Sequence, residues 1–278
     1  MTHRTLVSTA ELAHHIGEWR LFDCRHDLAR PAVGAEAYAA SHLPGACFAS
    51  LDHDLSSPKT GTNGRHPLPS AAAFTSWLGK QGLKRGDQVV CYDAAGGTYA
   101  SRLWWMLRWI GHDAVAVLDG GFPKWLSEGR PVTAEVPQFA PSDYRTTAND
   151  ALQVDAAFIE ARLGKPGMTV LDARTAQRFA GQGETLDPVG GHIPGALNRF
   201  HAQNLGDDGC FKAPDVLRAE FSELLGTTPA SQVVQQCGSG VSACVNLLAM
   251  EHSGLAGSRL YPGSWSEWCA DERRPMVR

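Results

Sequence analysis

The stretch VVQQCGSGVSAC, from Val233 to Cys244, sets one cysteine between a short run with two valines and a pair of glycines flanking a serine. A loop that leaves a strand and enters a helix turns its backbone N–H groups inward. Glycines permit the positive φ angles that such a tight turn needs. With a helix N-terminus behind it, the resulting nest favours negative charge at its centre. Cys237 placed there is a candidate nucleophile held as its thiolate. The same cradle, made by Gly238, Ser239, Gly240, Val241 and Ser242, would stabilise a sulfur anion carried on the cysteine, with Ser239 and Ser242 as hydroxyl donors. On the loop alone a second reading stands beside this one, in which Cys237 is a small apolar residue closing a strand. Cysteine phosphatases and arsenate reductases also use a thiolate in a loop before a helix, but close it with an arginine at C-x5-R spacing. Here that position is Ala243, which argues against phosphoryl chemistry.

The chain carries an internal comparison for this loop. SHLPGACF around residue 42 and GHIPGALN around residue 192 share the pattern H-[LI]-P-G-A, 150 positions apart. LFDCR precedes the first copy and VLDAR the second. VVCYDAAGGTYASRLWW follows the first, VVQQCGSGVSACVNLLA the second, and VLDGGFPKW answers RLYPGSWSEW. Four landmarks in one order mark a duplicated domain and not a short-period solenoid. In this alignment Cys237 faces Asp93, so one copy keeps the loop and loses the thiol. Asp23, Asp172, His42 and His192 occur in both copies, which assigns them to the framework and not to chemistry.

The elements that must position the loop follow from periodicity. LFDC, VVCYD, AVAVLDG, MTVLDA, QVVQQC and the run before YPG read as buried strands. AAAFTSWLGKQG, ASRLWWMLRWIG, APDVLRAEFSELLG and SACVNLLAMEHSG read as helices, and glycines end the first two as C-caps. Trp104, Trp105 and Trp109 fall at helical spacing and are expected in the core. Strands alternating with helices imply α/β halves, each a mainly parallel sheet with helices on both faces, whose working groups lie at the carboxyl ends of strands. The boundaries expected are an inactive copy over 1–135, a linker over 136–150 within the Pro-, Thr- and Ala-rich stretch from Val132 to Asp150, and a catalytic copy over 151–278.

Composition narrows the classes. The 278 residues carry a formal net charge of −4, with 43% apolar and 19% charged residues, which excludes disorder and argues against nucleic-acid binding. No run approaches the roughly 18 apolar residues of a membrane span, and the N-terminus has no signal-peptide core, so a cytoplasmic protein is expected. Seven cysteines with no C-x-x-C pair give no zinc or thioredoxin-like motif. Cys244 invites a reading as resolving thiol, but burial in its helix is favoured.

On its D-x-R and H-[LI]-P-G-A segments, the aspartate-bearing first loop, the CGSGVSA second loop and the closing GSWSEW, the chain resembles the tandem rhodanese-type sulfurtransferases over nearly its whole length. The resemblance implies two tandem rhodanese-like domains. The neutral CGSGV loop is similar to the 3-mercaptopyruvate sulfurtransferases, whereas thiosulfate sulfurtransferases more usually set cationic residues after the cysteine. It implies Arg178 as the binder of the donor's carboxylate, a pairing for which a planar guanidinium is suited. Without the family pattern, Arg178 reads as a surface arginine paired with Glu184. It further implies a relay of Ser239, His66 and Asp52, with the last two drawn from the first half so that the site lies between domains, and Tyr99 lining the cleft. His66 before a proline reads equally as a solvated loop residue. Where mercaptopyruvate enzymes often carry a second arginine, GQGETLDPVGG (Gly181 to Gly191) has none, and Arg102 or another residue from the first domain is the candidate to compensate.

The expected activity is sulfur transfer from 3-mercaptopyruvate, with thiosulfate as the alternative donor, through a persulfide on Cys237 to a thiol, a thioredoxin-like protein or cyanide. No metal or organic cofactor is implied, and no membrane or nucleic-acid partner. A non-catalytic sulfur carrier or regulatory module is the alternative of a different class.

Overall fold

A computed structural model describes residues 2–278. The chain divides into two compact units. The first comprises residues 2–57, 68–149 and 205–211, and the second 58–67, 150–204 and 212–278. Each unit thus takes in one short segment from the other half of the sequence.

In the first unit the elements run β1 (Leu6–Val7), α1 (Thr9–His14), β2 (Arg20–Asp23), α2 (Ala32–Ala40), β3 (Ala46–Phe48), α3 (Ala71–Lys80), β4 (Val89–Tyr92), α4 (Ala100–Trp109), β5 (Val115–Leu118) and α5 (Gly121–Ser127). The strands form one sheet in the order β1-β5-β4-β2-β3, and every pairing is parallel. All four residues of β4 and of β5 are buried, so both faces of the sheet centre are covered, as a parallel sheet requires. One face packs Leu21, Val90, Ala116 and Leu118 against Leu12, Phe122 and Trp125. Trp104, Trp105 and Trp109 are buried as expected for core residues.

The second unit repeats the plan with α6 (Ala156–Glu160), β6 (Thr169–Asp172), α7 (Ala176–Phe179), β7 (Leu197–Asn198), α8 (Pro214–Leu225), β8 (Val233–Gln236), α9 (Ala243–His252), β9 (Arg259–Leu260) and α10 (Ser264–Trp268). Its parallel sheet runs β7-β6-β8-β9. Where β1 borders β5 in the first unit, a single bridge from Gln153 to Leu260 borders β9 here. Trp265, Trp268, Tyr261 and Ile159 fill one side of the core.

The duplicated residues make matching contacts. Arg25 grips Asp23 through Nε and Nη2 and donates from Nη2 to the Ser41 carbonyl at 2.6 Å. Arg174 does the same with Asp172 and with the Gly191 carbonyl at 2.7 Å. His42 stacks on Tyr38 and bonds its carbonyl through Nδ1, and His192 does so with Phe179. The arginine bonds are framework bonds that tie the ends of β2 and β6 to the residue before each H-x-P-G segment. The helical glycines also serve as read. Gly82 and Gly111 follow the C-caps of α3 and α4 with φ of 72° and 77°, a conformation that suits glycine.

The stretch from 133 to 149 has no helix or strand and is bonded to the first unit along its length. His42 pairs with Thr133, Arg20 lies over the Phe139 ring at 3.6 Å, and Ser142 N–H donates to the Gly79 carbonyl. Tyr144 bonds His112, and Asn149 N–H donates to the Trp109 carbonyl. A Pro-rich extended segment lacks its own ladder, so it satisfies its backbone on α3 and the ends of α4. Among the described residues no helix is long and apolar enough to cross a membrane.

Candidate active site

Cys237 directly follows β8, at the carboxyl end of a central strand, and the loop leads into the ten-residue helix α9. Its carbonyl accepts from Trp265 N–H at 3.0 Å, and the Gly238 carbonyl accepts from Ser266 N–H at 2.9 Å. The Cys237 N–H donates to Ser264 Oγ at 3.1 Å, and that hydroxyl donates to the Tyr261 carbonyl at 2.9 Å. The start of α10 therefore holds the Cys237 backbone by two bonds and Gly238 by a third. Ser264 has φ of 54° and is the one non-glycine residue with positive φ among the described residues. Gly240, at φ +73°, passes so close to Pro262 that an added Cβ would stand 2.3 Å from its carbonyl oxygen.

His66 is buried, with its Nδ1 2.8 Å from Ser239 Oγ. The solvated reading of this histidine is therefore overturned. Its segment, residues 58–67, belongs to the second unit and is fastened there. Gly64 approaches Gly263 so closely that a Cβ would meet its carbonyl oxygen at 2.9 Å, and Arg65 N–H donates to Ser266 Oγ at 2.9 Å.

Arg178, at the end of α7, pairs with Glu184 through Nε at 3.0 Å and Nη2 at 2.9 Å, and with Asp187 through Nη2 at 3.2 Å. The pairing with Glu184 read from the sequence is thus present, but it turns the guanidinium towards the loop. A Cβ on Gly238 would lie 3.6 Å from both Nη atoms of Arg178. It would lie 2.8 Å from Nη2 of a second arginine, Arg65. Arg65 Nη1 bonds Asp187 at 2.6 Å. Asp187 thus bridges the two arginines, and a Cβ on the residue after Cys237 would press on Nη2 of Arg65 and touch Arg178 at ordinary contact distance. Burial lifts the Asp187 carboxyl above the usual range, against the pull of Arg65 and Arg178. Burial also opposes the Glu184 carboxylate, but the N–H groups of Leu186 and Asp187 together with Arg178 outweigh it and hold it below that range.

The second unit therefore gathers Cys237, Ser239, His66, Arg178 and residues 238–242. The other candidates, Asp52, Tyr99 and Arg102, belong to the first unit. There Tyr99 caps α4 beside the edge of the His26 ring, and burial pushes its phenol up to about 12. Arg102 is fully buried and donates to the Leu55 carbonyl at 3.4 Å. Cys244 is buried in α9 with Sγ turned to the Gly240 carbonyl at 3.5 Å, and all seven cysteines are free thiols. The sequence reading missed Arg65, Asp187 and Ser264. The signal for Arg65 was its place directly before His66. The signal for Ser264 was its alignment with Gly121, a serine where the first copy has glycine.

In the first unit the matching loop holds Asp93. Its Oδ1 accepts N–H bonds from Ala95 and Gly97 at 2.8 and 3.0 Å, and its Oδ2 from Tyr99 and Ala100 at 2.7 and 2.9 Å. The loop is thus a cradle of N–H donors, and the acceptor that fills it is its own carboxyl. Burial pushes the Asp93 carboxyl up, and the four N–H bonds pull against that shift.

Known proteins agree with this plan. The profile of the Rhodanese-like domain matches residues 8–128 and 155–271. A Pseudomonas aeruginosa protein named "Probable 3-mercaptopyruvate sulfurtransferase" is 44% identical over 281 residues, covering 100% of this chain and 99% of its own. The thiosulfate sulfurtransferase of Rattus norvegicus is 34% identical over 279 residues, covering 96% of this chain and 92% of its own. The structure of 3-mercaptopyruvate sulfurtransferase from Leishmania major superposes with a TM-score of 0.84 at 31% identity, covering 95% of this chain and 74% of that one. Both halves, one with the thiol and one with the carboxylate in the same cradle, place the chain in the rhodanese family as a tandem-domain sulfurtransferase.

Proposed function

We propose that the chain transfers sulfane sulfur from 3-mercaptopyruvate to a thiophilic acceptor through a persulfide on Cys237. The Cys237 thiolate attacks the donor sulfur, an S–S bond forms, and the donor C–S bond breaks with its electron pair left on carbon. The thiol proton of the donor moves to that carbon, so pyruvate leaves and Cys–S–S⁻ remains in the cradle from Gly238 to Ser242. An acceptor thiolate, a thioredoxin-like protein or cyanide then takes the outer sulfur and restores the thiolate. Two half-reactions through a covalent intermediate call for ping-pong kinetics and no cofactor.

The observation that carries the choice of donor is the buried His66–Ser239 bond at the cysteine loop. A thiol donor brings a proton that must be relocated as its sulfur departs. Thiosulfate brings none, since sulfite leaves as an anion. A histidine and hydroxyl beside the nucleophile suit the first case. Asp52 is proposed as the third member of this relay, and Tyr99 and Arg102 as first-half contributors to donor binding. The second reading, thiosulfate as donor by the same persulfide, is favoured by the relatives named thiosulfate sulfurtransferase.

Comparing kcat/KM for both donors in the wild type and in His66→Gln separates the two. The proposal expects mercaptopyruvate turnover to fall by about 10²–10⁴-fold in the variant, with thiosulfate turnover much less affected. An equal fall for both donors, or a wild type that turns over thiosulfate alone, would sink it.

A further inference from the structure

The donor site has a second cation that the sequence pattern does not assign. We propose that Arg65 binds the anionic end of the donor together with Arg178 and so helps to set the preference of the Cys237 site for a carboxylate-bearing substrate. Identifying that end as the carboxylate of 3-mercaptopyruvate rests on the function proposed above. The anion site itself does not.

Three observations lead there. The guanidiniums of Arg65 and Arg178 converge on Gly238, the residue next to the nucleophile, with Arg65 Nη2 the nearer. Asp187 bonds Nη1 of Arg65 and Nη2 of Arg178, and Glu184 takes Nε and Nη2 of Arg178, so both guanidiniums are oriented while Nη1 of Arg178 and the Nε–Nη2 side of Arg65 stay clear of these carboxylates. Nε of Arg65 is buried with no hydrogen-bond partner, an N–H that a bound carboxylate in this corner would satisfy. Together Nη1 of Arg178 and the Nε–Nη2 side of Arg65 offer charge-assisted bonds to a planar anion one residue from the sulfur. Asp187 acts as a positioning residue, because it touches the arginines and not the donor. This arrangement answers the arginine-free segment from Gly181 to Gly191, since the second guanidinium arrives from the segment 58–67, which packs with the second unit.

The test uses the full chain and two alkylating probes of similar size, anionic iodoacetate and neutral iodoacetamide, neither of which is a sulfur donor. The rate of modification at Cys237 is followed by mass in the wild type, Arg65→Gln and Arg65→Lys. The expected result is a selective loss in Arg65→Gln. Iodoacetate slows by about ten- to a hundredfold, the span of a hydrogen bond to a charged group, while iodoacetamide stays within about twofold. Arg65→Lys recovers part of the iodoacetate rate. With 3-mercaptopyruvate, Arg65→Gln raises KM by a similar factor and leaves kcat nearly unchanged. An unchanged ratio of the two probe rates in Arg65→Gln overturns the assignment, and so does an equal slowing of both, which marks a structural role. A wild type that ignores 3-mercaptopyruvate overturns the donor reading instead, and leaves the probe ratio to judge Arg65.

Discussion

The loops Asp93–Tyr99 and Cys237–Ala243 are two versions of one device. Each leaves a central parallel strand, turns on a glycine with positive φ (Gly96 at 64°, Gly240 at 73°) and enters a ten-residue helix. In each, the carbonyl of the first residue accepts an N–H from the next helix, Phe122 in one and Trp265 in the other. The difference lies in what fills the cradle and what surrounds it. Asp93 is an acceptor that the fold supplies to itself, held by four backbone N–H groups. Cys237 replaces it with a thiol. The ring stacked on His42 is Tyr38, preceded by Ala37, whereas the ring stacked on His192 is Phe179, preceded by Arg178. Gly121 holds the left-handed position at φ 57°, and Ser264 holds it at φ 54° with its hydroxyl on the Cys237 N–H. The first copy has kept the cradle and lacks the thiol, the guanidinium and the hydroxyl clamp. The N–H cradle is thus a property of the loop in both copies, and under the proposed function the sulfur chemistry belongs to the side chains the second copy adds around it.

Replacing the turn glycines is the severest way to probe that statement. Left-handed backbone costs an L-residue about 1–2 kcal/mol at either site. At Gly240 the new Cβ also meets the Pro262 carbonyl, a backbone atom, whereas at Gly96 it meets only the Cδ1 end of Leu205. Gly240→Ala is expected to cut kcat by about a hundredfold, as displaced nucleophiles do. Gly96→Ala is expected to lower Tm by a few degrees and leave kcat within about threefold. Steady-state kinetics and thermal unfolding of both variants check this, and equal losses of activity would break the comparison.

A smaller effect sharpens the role of Ser264. Ser264→Ala keeps the strained φ and strands the buried Cys237 N–H, a loss of about 1–3 kcal/mol. Ser264→Gly loses the same bond but recovers about 1–2 kcal/mol of backbone strain. Both variants are expected to lose kcat by about tenfold, with the glycine variant melting about 2–4 °C higher than the alanine variant. If the alanine variant keeps full activity, the hydroxyl does not position the nucleophile.

Much of this was legible in the chain. The buried strands declared themselves because both faces of a parallel sheet are apolar, as in VVCY and TVLD. The duplication exposed Cys237 by setting it against Asp93. The short strands Leu6–Val7, Ala46–Phe48 and Leu197–Asn198 were not read, because two or three residues acquire strand geometry only from their partners. Arg65 was passed over because it lies in the first half of the sequence but packs in the second unit. Nothing local in TNGRHPLP states that it meets Gly238 across more than 170 positions. Arg178 paired with Glu184 was read as an alternative to substrate binding, yet the ion pair is what aims the guanidinium.

The central claim is that Cys237 alone carries the transferred sulfur. Its most direct test is the intact and peptide mass of the full chain after treatment with 3-mercaptopyruvate or thiosulfate, without acceptor, in the wild type and Cys237→Ser. The account predicts one added sulfur atom on the peptide containing Cys237 and none anywhere in Cys237→Ser. An added sulfur that persists in Cys237→Ser, or turnover by a wild type that never gains one, would contradict it.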